Sequence, residues 1–81
     1  MHEFSLAQNL LGQLLELAAQ HQARKIIRVE VQLGESSNIV ADSFQFGFDV
    51  LSKENEICRS AKLVLQPTAG NDLILAQVEM E

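Results

Sequence analysis

Apolar positions in the first quarter of the chain recur with the period of a helix. Leu6, Leu10, Leu14 and Leu17, with Leu11, Leu15 and Ala18 beside them, fall at i, i+3, i+4 and i+7, which puts them on one broad face of a helix from Leu6 to about Gln22. Ser5 and Gln8 read as a capping box at its start. The period then drops to two. In KIIRVEVQLG, Ile27, Val29, Val31 and Leu33 alternate with Arg28, Glu30 and Gln32, as a strand with one face on a core requires, and Gly34 ends it. ESSNIV is a polar turn. Asp42, with Gln45 three positions on, is the expected cap of a second helix that ends near Lys53. Val40, Phe44, Gly47, Phe48 and Leu51 form its apolar face, with Gly47 allowing close approach to another element. A short strand from Ser60 to Gln66, a turn from Pro67 to Asn71 and a last strand in DLILAQVEME complete the chain, with Ile74, Ala76, Val78 and Met80 on one side.

This order predicts an α+β fold of two layers: a three-stranded mixed sheet with two helices packed on one face, in the order α-β-α-β-β. The second helix supplies the crossover between two parallel strands, and the short turn at PTAGN favours an antiparallel hairpin between the last two. Val64, Leu73 and Leu75 then fall on the sheet face away from the core. There they would be exposed in a monomer and call for a covering element or a second copy.

Composition narrows the function. The 81 residues allow one domain spanning 1–81, and 47% apolar residues with four Phe, no Trp and no Tyr give it an aliphatic core. A net charge of -5 with only six Lys and Arg argues against a phosphate-backbone partner. The single Cys58 rules out an internal disulfide and an all-cysteine zinc site, and a cytoplasmic address is the default. Apolar runs are too short for a membrane span, and the start lacks the basic flank and apolar core of a signal peptide, so the amino terminus is expected to persist. No Ser-His-Asp set, phosphate-cradling glycine loop or paired catalytic carboxylates stands out, so the chain is not expected to be an enzyme.

The chemistry that remains sits in the first residues, MHEFS. A free amine and the His2 amide nitrogen close a five-membered chelate ring on a metal ion, and the same amide with the His2 imidazole closes a six-membered one. Ni(II) or Cu(II), which favour planar nitrogen ligation, can displace the amide proton and accept this set. A fourth position stays open to the Glu3 amide, its carboxylate, water or a partner's group. Amine and imidazole ligate only when deprotonated, so binding should weaken below about pH 6.5.

MHEFSLAQNLL resembles the opening of the HypA family of nickel-insertion accessory proteins, which begin Met-His-Glu, a variable residue and Ser. RKIIRVEVQLGESSNIVADSFQFGFDVLSK is similar to that family's first strand, Gly-Glu turn and Phe-bearing second helix, and GNDLILAQVEME to its last strand. The resemblance implies Ni(II) as cargo, with Met1 through its amine, His2 and Glu3 as nickel ligands. It also implies a HypB-like GTPase and a hydrogenase large-subunit precursor as partners, and a role in maturing NiFe hydrogenase or urease. Family members carry a zinc-binding module of paired Cys-x-x-Cys motifs between the last two strands. Here QPTAGNDL runs straight across that place, so no zinc site is expected between about residues 67 and 71.

Other polar residues have simpler readings. His21 is a surface residue near the end of the first helix, some 25 Å from position 2. Cys58 is a structural thiol, Glu35 a turn residue that the sheet could bring near the amino terminus, and Glu54, Glu56, Glu79 and Glu81 a solvated acidic rim. A second class of function stays open: a metal-independent interaction or dimerisation module using the face of Val64, Leu73 and Leu75.

Overall fold

The structure, a computed structural model, describes residues 2–81, with the His2 side chain excepted. Helix α1 (His2–Gln20) is followed by strand β1 (Ile26–Gly34), helix α2 (Ala41–Ser52), strand β2 (Lys62–Thr68) and strand β3 (Leu73–Met80). The α-β-α-β-β order and the mixed three-stranded sheet agree with the sequence. Sheet order does not follow the expected hairpin: β1 is central, parallel to β2 and antiparallel to β3, so β2 and β3 form the two edges.

The reason lies at Gly34. Residues 69–72 link the two edge strands by crossing over the end of β1, a span of two strand spacings or about 10 Å. The carbonyl of Gly70 accepts from the Ser36 N–H at 2.8 Å and that of Asp72 from the Gly34 N–H at 2.8 Å. A Cβ on Gly34 would lie 2.6 Å from the Gly70 oxygen. Only a residue without a side chain fits beneath this crossing. Pro67, expected in a turn, is the penultimate residue of β2, where an edge strand tolerates its missing N–H.

Two bulges decide which side chains enter the core. The register with β3 shifts between Ile26 and Arg28 and again between Glu30 and Val31, leaving Ile27 of β1 and Ala76 of β3 as the extra residues. Ile26 is therefore the buried member of its pair and Ile27 only half-buried. Leu73 and Leu75 pair with the buried Leu33 and Val31, and Val78 and Met80 with the buried Val29 and Ile26. All four pack against the core. Leu73 and Leu75 thus sit on the face opposite to the expected one. Ile74 and Ala76 take their place outside, while Val64, paired with Glu30, stays outward as expected.

Helix α1 starts earlier than its leucine pattern. Ser5 and Gln8 are exposed residues inside the helix and form no capping box. Its other end closes in a Schellman turn. Gln22 adopts the left-handed conformation (φ 54), the Ala23 N–H donates to the Ala18 carbonyl at 2.8 Å, and the Gln22 N–H donates to that of Ala19 at 3.2 Å. Ala7, Leu14 and Ala18 of α1 meet Phe44 and Phe48 of α2 with no exposed surface, and burying each phenyl ring contributes about 2 to 3 kcal/mol. At Gly47 the helices approach closely: a Cβ there would stand 3.3 Å from the Phe4 ring, which would have to shift by a few tenths of an ångström, and 3.5 Å from the Ala7 Cβ, an ordinary contact. Cys58 completes the core, and burial pushes its thiol pKa above the ordinary 9.0.

Candidate metal centre at the start of the first helix

Met1 and the His2 side chain lie outside the described residues, so the geometry of the candidate site begins with the His2 backbone and Glu3. Because α1 begins at His2, the first amides of the helix, those of His2 and Glu3 among them, have no acceptor four residues back. A bare cation is disfavoured at this positive end of the helix dipole. A planar complex in which deprotonated amides cancel the metal's charge is not.

Glu3 is almost fully buried, at 7% exposure. Its Oε2 accepts a hydrogen bond of 3.0 Å from the Val40 N–H. Val40 is the N-cap residue of α2 and has no side-chain cap of its own, so α1 supplies the acceptor that α2 lacks. Asp42, the expected cap, lies in the first turn of α2 instead, and Val40, expected on the buried face, is 56% exposed. The carboxylate of Glu3 thereby ties the first turn of α1 to the start of α2.

The other candidates are scattered. His21 is exposed beyond the far end of the 19-residue α1, on the β3 side. Glu35 is exposed, and its N–H donates to the Thr68 carbonyl at 2.8 Å. Segment 37–40 is what reaches α1: Ser37, Asn38 and Ile39 line a hollow with Leu6, and Val40 meets Glu3. Cys58 is buried away from any ligand set. Among the described residues, no group of three or more His, Cys, Asp or Glu could hold a metal ion, and no helix is long and apolar enough to cross a membrane.

Sequence reasoning missed two residues beside this site. Phe4 and Phe46, 42% and 68% exposed, line a hollow together with Glu3, Asp42 and Ser43. The signal was present: Phe46 falls between Phe44 and Phe48 and therefore off the face that those two share.

Known proteins are similar to this chain in sequence and in fold. The HypA family model, described as hydrogenase/urease nickel incorporation, metallochaperone, matches residues 1–79. The hydrogenase maturation factor HypA of Methanocella arvoryzae is 36% identical over 69 residues, covering 85% of this chain and 61% of that protein. The hydrogenase/urease maturation factor HypA of Helicobacter pylori is 33% identical over 81 residues, covering 100% of this chain and 62% of its own length. The chain thus spans about three fifths of these relatives. A solution structure of HypA protein superposes with a TM-score of 0.83 at 26% identity, covering 100% of this chain and 97% of that one. The solution structure of the Ni metallochaperone HypA from Helicobacter pylori gives 0.77 at 21% identity, covering 98% and 92%, a likeness of fold.

Proposed function

The chain belongs to the HypA family, and from that premise we propose that it is a nickel metallochaperone domain, one unit over residues 1–81, which binds Ni(II) at its amino terminus. It delivers the ion for maturation of a nickel enzyme, NiFe hydrogenase or urease. Met1 supplies its amine, His2 its amide and imidazole nitrogens, and Glu3 its amide nitrogen. The carboxylate of Glu3 stays on α2, a division of labour supported by its hydrogen bond to the Val40 N–H. The observation that carries the reading is the match over residues 1–79 together with a helix that opens at His2, which leaves the first amides without helical acceptors.

The protein acts as a carrier and not as an enzyme, in the cytoplasm, with a HypB-like GTPase and a hydrogenase large-subunit precursor as partners. The relatives' names as maturation factors support that role. An ion held by a few donors at a chain end is open on one side to the ligands of a recipient. That geometry suits transfer better than storage.

Acetylation of the amine tests the site without touching a side chain. Isothermal titration of nickel into protein with a free amine should show tight binding, and into acetylated protein a loss of at least about tenfold, because one donor and its chelate ring are gone. Equal affinity in the two preparations would place the nickel elsewhere.

A further inference from the structure

The helix pair carries an apolar face that the fold leaves open. Phe46 and Val50 stand one turn apart on the outer side of α2, 68% and 39% exposed, and Phe4 comes alongside from α1, where its ring lies over Gly47. Phe4 and Phe46 share one hollow with Glu3 and Asp42. Phe4 is two residues from His2.

Handing over a metal ion is a ligand exchange. The recipient's donor atoms must come within bonding distance, about 2 Å, before the last carrier donor leaves. A recipient therefore has to lie against the residues that flank the chain start, and this face is such a flank. Its charge favours one kind of occupant. Asp42, Asp49 and Glu54 are exposed along α2 and just after it, against a single Lys53, on a chain of net charge -5. A second copy would bring two acidic rims together, whereas an apolar knob ringed by Lys and Arg would fit both the rings and the rim.

Resting on the nickel reading above, we propose that the face formed by Phe4, Phe46 and Val50 is the platform on which the nickel-receiving protein docks, through an apolar contact ringed by basic residues. The platform sets transfer and leaves nickel affinity alone. Nickel binding by wild type, Phe46→Asp and Phe46→Gln should be equal, with unchanged circular dichroism. With purified nickel-free large-subunit precursor of NiFe hydrogenase as probe, affinity for the precursor and the rate of nickel transfer should both fall at least about tenfold in Phe46→Asp. Asp49→Lys should slow association and flatten its dependence on salt.

Unchanged precursor binding and transfer in Phe46→Asp would overturn the platform. So would a wild-type dimer that Phe46→Asp splits, since the face would then belong to a second copy. Binding of the two metal-free proteins is measured in parallel. A chain that takes up no nickel would defeat the metal reading, and the metal-free binding of Phe46→Asp would still decide the platform.

Discussion

The two ends of α1 are built for different purposes. At its C-terminal end the last carbonyls are closed by the Gln22 turn, and Leu14 and Ala18 below it have no exposed surface. At its N-terminal end the helix opens directly at His2, and a hydrogen bond from the Val40 N–H to Glu3 ties the first turn to α2. The contrast separates two tasks within one element: the closed end holds the fold, while the open end leaves its first backbone amides without helical acceptors, the nitrogens on which the proposed nickel site would draw.

Leu14→Ala should give the largest effect on stability, a loss of about 2 to 5 kcal/mol in urea unfolding, because a fully buried side chain leaves a cavity under the closed end. Nickel stoichiometry of the folded fraction should not change. Gly34→Ala comes next. Its methyl would press on the backbone of Gly70 and Asp72, neither of which can rotate away, so about 1 to 3 kcal/mol should be lost, read from the same transition.

Glu3→Ala removes the acceptor at the start of α2 and should cost about 1 kcal/mol, in the range of a lost cap, with Glu3→Gln recovering part of it. A loss as large as that of Leu14→Ala would break the contrast by making the open end a structural anchor. Ser5→Ala should change stability by less than about 0.5 kcal/mol, because Ser5 is an exposed residue inside the helix and caps nothing. A cost near that of Glu3→Ala would restore the capping box.

Cys58 gives a check by pH. Burial raises the folded thiol's pKa above the ordinary 9.0, so the unfolded chain ionises first as pH rises. Stability from the neutral thiol is complete below the unfolded value and is lost progressively as pH climbs above it. A thiol reagent at pH 8 should label the protein only as fast as it unfolds.

Most of the architecture was legible because its elements carry clean periods. The leucine stripe of α1, the alternation from Val29 to Leu33 and the Phe44, Gly47 and Phe48 face of α2 all appear where their spacing puts them. What was hidden depends on partners distant in sequence. Ile26 and Ile27 are adjacent and equally apolar, and only the bulge against Met80 chooses between them. In β3 the pairs Leu73 with Leu75 and Val78 with Met80 are each in period but out of phase, and that offset around Ala76 was a readable sign of a bulge. Strand order rests on a chain crossing at Gly34, which leaves no local pattern beyond two glycines. The start of α1 was hidden because its first turn carries a single apolar residue, Phe4, which lies off the leucine stripe, and the cap of α2 because its acceptor comes from 37 residues away.

The most direct test of the amino-terminal site is nickel titration of untagged protein with a free amine, followed by absorption and magnetic measurement, for wild type and His2→Ala. Wild type should bind one Ni(II) as a diamagnetic planar complex, and His2→Ala should lose at least about tenfold in affinity together with the planar spectrum. Equal affinities, or octahedral paramagnetic nickel in the wild type, would contradict ligation by the nitrogens of the chain start.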